Sequence, residues 1–73
     1  MSVAPANDCV VEIGETAGLI WKILDESGPT SVAQLVKNSK KSRDLVMQAL
    51  GWLAREDKID IREVRRSRIA SLR

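Results

Sequence analysis

The sequence has no histidine, no tyrosine and no phenylalanine, and its only cysteine is Cys9. One thiol cannot form an intrachain disulfide. Without histidine or a second cysteine, the usual ligand sets of a zinc site are missing, so neither a metal nor a cofactor is expected. The same shortages remove the ordinary catalytic kits. There is no imidazole to serve as a base for Cys9, near the N-terminus, or for any other nucleophile. Ser27, Ser31, Ser39, Ser42, Ser67 and Ser71 fall where caps and turns are expected. No glycine-rich loop cradles phosphate and no acidic cluster invites a metal, so the chain reads as non-enzymatic. Two tryptophans, Trp21 and Trp52, are the whole aromatic content. That is too little for the stacking platform of a single-strand binder, and both are expected to be core anchors. No apolar run is long enough to span a membrane. Residues 1–8 have neither the basic start nor the apolar stretch of a signal peptide, and a lone cysteine suits a reducing compartment. The expected location is the cytoplasm.

At 73 residues the chain has room for one domain with one small core. Such a core rarely supplies more than ~3–5 kcal/mol, so close helix packing or oligomerisation must add to it. The net charge of +2 is unevenly spread. Up to Gly28 there are five acids against Lys22. From Pro29 onward eleven bases stand against five acids. This asymmetry points to a surface facing a polyanion.

Hydrophobic periodicity sets out the elements. Residues 1–8, small and polar with one proline, read as a flexible tail, and residues 9–73 as the folded domain. Ile13, Ala17, Ile20, Trp21 and Leu24 recur at three-and-four spacing, predicting a helix from Val10 or Ile13 to Ser27, or from an earlier start capped by Asp8. Gly28-Pro29 ends it. Thr30 is a candidate for a very short strand. Ser31-Val32-Ala33-Gln34 reads as a capping box opening a second helix, with Val32, Leu35 and Val36 buried and its end near Asn38. Ser42 caps a third helix running to about Glu56, with Leu45, Val46, Ala49, Leu50, Trp52 and Leu53 on its apolar face. The period then changes to two: Ile59-Asp60-Ile61-Arg62 alternates as a strand, Arg65-Arg66-Ser67 turns, and residues 68–72 return. The expected fold class is α+β, mainly helical: a winged helix-turn-helix of three helices, a short strand and a C-terminal two-stranded β-hairpin wing.

Two blocks carry a resemblance. Ile13-Gly14-Glu15-Thr16-Ala17-Gly18 with Ile20-Trp21, and Ala49-Leu50-Gly51-Trp52-Leu53-Ala54-Arg55-Glu56-Asp57-Lys58-Ile59, resemble a family of small prokaryotic winged helix-turn-helix proteins of largely unknown function. The likeness spans roughly residues 10–62, and the second block is the more specific. It implies the winged-helix fold and, by analogy, a DNA-binding or regulatory role. It supplies no binding residues.

The candidate residues come from the chain itself. Arg62, Arg65, Arg66 and Arg68 crowd the hairpin, and guanidinium groups suit phosphate oxygens. Lys37, Lys40 and Lys41 cluster at the turn before the third helix. Lys40, Lys41 and Arg43 are expected to add backbone contacts to double-stranded DNA. Gln48 is the main candidate for reading a base, on an outward face shared with Asp44, Met47, Gly51 and Arg55. That face is meagre, so a second reading stays open: a protein-interaction or homodimerisation module, using Gly14, Gly18, Leu19 and Ile23 on the first helix or Met47 and Gly51 on the third. A transcriptional regulator and an interaction module are the two functions the sequence leaves standing.

Overall fold

A computed structural model describes residues 8–73. The elements run α1 (Asp8–Ser27), β1 (Thr30–Ser31), α2 (Val32–Ser39), α3 (Arg43–Arg55), β2 (Ile59–Val64) and β3 (Ser67–Leu72). This is a winged helix-turn-helix. α1 begins at Asp8, and the rest of the expected tail, residues 1–7, lies outside the described residues.

Local chemistry explains the element ends. Gly28 ends α1 in the left-handed region at φ 76°, its N–H donating to the Leu24 carbonyl at 2.8 Å. A side chain there would be strained, which is why glycine is used. Ser31 caps α2 by accepting from the Gln34 N–H at 3.1 Å, and Ser42 caps α3 by accepting from the Leu45 N–H at 3.2 Å. α2 runs past Asn38. The Ser39 hydroxyl donates to the Val36 carbonyl and accepts from the Lys41 N–H, which settles the last turn and places the left-handed residue at Lys40, φ 60°. α3 closes with paired bonds from Asp57 N–H to the Ala54 carbonyl and from Lys58 N–H to the Leu53 carbonyl. Asp57 is at φ 62°. That 6→1 and 5→2 pairing is the Schellman termination, and it sends the chain directly into β2.

The sheet has the order β1-β3-β2, all antiparallel. Thr30 pairs with Ala70, and β2 pairs with β3 from Ile59↔Leu72 to Val64↔Ser67. Both wing strands extend beyond their expected limits and meet in a two-residue connection, Arg65-Arg66. The core consists of aliphatic side chains: Ile20 and Leu24 of α1, Leu35 of α2, Val46, Leu50 and Leu53 of α3, Ile59 of β2 and Ala70 of β3.

Three sequence expectations need correction. Trp21 and Trp52 are not core anchors, being 41% and 39% exposed. Each lies at the margin of its helix's buried stripe, and aliphatic residues fill the space between α1 and α3. Met47 does not face outward: it is half-buried and packs on the core, one step around α3 from Val46 and Leu50. Leu19 and Ile23 are likewise half-buried, with Ile23 packed on the core, so they do not form a free apolar face. Among the described residues no helix is long and apolar enough to cross a membrane, and no cluster suited to a metal is present.

Candidate nucleic-acid interface

The wing is short of neutralising partners. Among the described residues, the ion pairs join Lys58 to Glu56 and Arg73 to both Asp57 and Asp60. None engages Arg43, Arg62, Arg65, Arg66 or Arg68, all of which are exposed. Their charges therefore face water, and displacing water and counterions from them is the ordinary route to phosphate binding.

The structure gathers these bases into a definite place. A groove of about 480 Å³ is lined by Ser31, Val32 and Ala33 at the start of α2, Arg43 at the start of α3, and Glu63, Arg66, Ser67 and Arg68 of the wing. Arg43 and Arg66 are distant in sequence and meet here because the hairpin folds back against the helix-turn-helix. The start of α2 adds amide N–H groups without intrahelical acceptors and the positive end of a helix dipole. Guanidinium groups and helix-start amides are both phosphate-binding elements, so the groove is equipped to hold a strand backbone. One group opposes this. Glu63 lies in the same groove and stands directly across the hairpin from Arg68.

The other candidates go elsewhere. Lys40, Lys41 and Gln48 line a second depression of about 400 Å³, together with Cys9, Glu12, Ser42, Asp44 and Leu45. Two carboxylates there offset two lysines. Arg65 forms the wing tip, and Arg62 lies along β2, outside both depressions. The outward surface of α3 carries Asp44, Gln48, Gly51 and Arg55, all exposed. Of these, only Gln48 and Arg55 offer hydrogen-bond donors suited to a base edge.

Sequence reasoning missed the contribution of Ser31, Val32 and Ala33. The capping box located this helix start, but nothing local in the sequence said that the wing would close over it. It also missed the surroundings of the glycines. Gly14 and Gly18 line a cleft of about 300 Å³ with Trp21, Trp52, Glu56 and Lys58. A Cβ on Gly14 would stand 3.9 Å from Trp52 Cη2, whereas one on Gly18 would meet nothing within 4 Å. The two glycines thus leave a notch on α1, and an indole from α3 partly roofs it.

Comparison with known proteins agrees with this architecture. The chain is 49% identical over 51 residues to the uncharacterized protein MJ1608 of Methanocaldococcus jannaschii, covering 66% of this chain and 71% of that protein. The model of a family described as winged helix-turn-helix domain (DUF2582) matches residues 8–72, the whole of the described fold except its last residue. The chain belongs to this winged helix-turn-helix family.

Proposed function

We propose that the chain is a non-catalytic, cytoplasmic domain that binds double-stranded DNA through its wing and the starts of α2 and α3, and that it serves in transcriptional regulation. The observation carrying this reading is the convergence of Arg43, Arg66 and Arg68 on one groove with the start of α2, none of these arginines held by an ion pair. Arg65 at the tip extends the basic surface, whereas Arg62, next to Glu63 along β2, falls on the opposite face of the hairpin. Phosphate contacts would dominate affinity. With only Gln48 and Arg55 able to donate from the outward face of α3, base reading would be sparse.

The test is fluorescence anisotropy of a labelled duplex of random sequence, titrated with protein at several salt concentrations. Each phosphate neutralised contributes about −0.9 to the slope of log affinity against log salt. Arg66→Ala and Arg68→Ala should each weaken binding on all sequences alike and make the slope shallower by about one unit. Binding that does not respond to salt, or no binding at low salt, overturns the proposal.

One observation favours the second reading, an interaction module. Trp21 and Trp52 stay partly exposed around the Gly14–Gly18 cleft. Half-exposed indoles are what recognition surfaces use. A protein that fails to bind DNA, and whose tryptophan emission shifts when a partner is added, would favour that reading.

A further inference from the structure

β2 is an edge strand. Among the described residues, the order β1-β3-β2 leaves one side of it without a neighbour over its full six residues. Proteins usually protect such an edge with charged side chains, proline, a bulge or a short strand. Ile59–Val64 contains no proline and pairs with β3 without interruption, and its charges, Asp60, Arg62 and Glu63, are of both signs, so they repel most strands but can be matched by a strand of complementary charge. Ile61 and Val64 are exposed apolar residues at 39% and 51%.

The free backbone groups can be assigned. The Arg73 N–H donates to the Lys58 carbonyl at 3.1 Å, which fixes Lys58 as a residue bonded towards β3. Antiparallel pairs alternate between bonded and non-bonded. Asp60, Arg62 and Val64 therefore direct their amides and carbonyls to β3. Ile59, Ile61 and Glu63 direct theirs outward.

Of all strands that could add to this edge, a second β2 fits in one way. In a two-fold antiparallel pair, outward-directed residues must meet outward-directed residues. That leaves registers centred on Asp60, Ile61 or Arg62. The first sets Asp60 against its own copy and the last sets Arg62 against its own copy, and like charges directly opposite are destabilising. Centring on Ile61 places Asp60 opposite Arg62 twice, Ile61 on its own copy, and Ile59 across from Glu63. All three outward backbone positions are then bonded. On Asp60, Arg73 Nε takes Oδ1 at 3.4 Å, which leaves the other carboxylate oxygen for Arg62 of the second copy.

We propose that the chain self-associates through antiparallel pairing of β2 with β2 of a second copy, centred on Ile61, joining two three-stranded sheets into one of six strands. The proposal concerns protein alone and stands apart from DNA binding.

Sedimentation equilibrium on the full chain, up to about 1 mM because a short edge forms a small interface, supplies the test. Wild type should sediment as a concentration-dependent dimer. Asp60→Arg and Arg62→Asp each turn both attractive pairs into repulsive ones, and each should lower the association constant about tenfold or more. The double variant Asp60→Arg/Arg62→Asp restores both pairs and should recover association. So should an equimolar mixture of the two single variants, which pair only with each other. Circular dichroism confirms that each variant is folded, both positions being exposed. A monomeric wild type, a dimer indifferent to both reversals, or a double variant that stays monomeric overturns the proposal.

Discussion

Gly18 sits mid-way along a twenty-residue helix, exposed, with nothing within 4 Å of where its Cβ would lie. Glycine in a helix interior is less favourable than alanine by about 0.8–1.0 kcal/mol. No steric contact in the monomer offsets that difference. Gly18→Ala should therefore stabilise the fold by about this amount and raise the thermal midpoint by roughly 4–8 °C for a domain of this size. Calorimetry checks it, and an unchanged or lower midpoint would show that the glycine serves a contact the monomer does not contain. Residue chemistry told where glycines and tryptophans stand along the chain, but not what they face. The pattern of α1 placed Trp21 beside Ile20 and Leu24, yet a stripe's centre and its margin look alike in sequence. Which of the apolar residues reaches the interior depends on how far α1 and α3 approach each other. Here aliphatic side chains set that distance and leave both indoles partly exposed at its margin.

The elements themselves were legible because each start carried its own chemistry. Ser31 and Ser42 could be recognised as caps from their positions ahead of apolar periodicity, and each accepts the N–H three residues on. The wing turn was harder to read. It has no Asn-Gly type signal, and its first residue, Arg65, holds φ 57°, a conformation that L residues other than glycine and asparagine seldom take. That conformation costs an arginine about 1–2 kcal/mol, while glycine adds about 0.4–1 kcal/mol of freedom to the unfolded chain. Arg65→Gly should thus stabilise the domain by about 0.5–1 kcal/mol, moving the urea midpoint upward at constant slope. The same change removes a cation from the wing tip. If Arg65 touches phosphate, the variant is more stable yet binds DNA more weakly, with a salt slope shallower by about one unit. A variant both more stable and undiminished in binding would place the tip away from the duplex. An arginine kept where glycine fits better is what a surface retained for its charge would look like.

At the scale of the molecule, charge separation follows the fold. The acidic segment becomes α1, and the basic segment becomes the turn, α3 and the wing. The asymmetry was visible in sequence. The grouping of Arg43 with Arg66 and Arg68, and of Lys40 and Lys41 with Glu12 and Asp44, was not, because it depends on where the hairpin closes. Net charge and local charge make different claims about binding, and two carboxylates separate them. Glu63 lies within the arginine groove, opposite Arg68. Glu15 is exposed on the outer side of α1, with the buried stripe of that helix between it and the rest of the domain. Glu63→Gln and Glu15→Gln change the net charge equally. Screening confines strong interactions between exposed charges to about 10 Å at 0.1 M salt. DNA held in the groove should therefore bind the Glu63→Gln protein about three- to tenfold more tightly, through loss of a repulsive carboxylate beside the phosphates. Glu15→Gln should change affinity less than about twofold under the same conditions. Equal gains from the two variants would mean that the duplex responds to the total charge of the domain, and the groove would lose its claim to be the site.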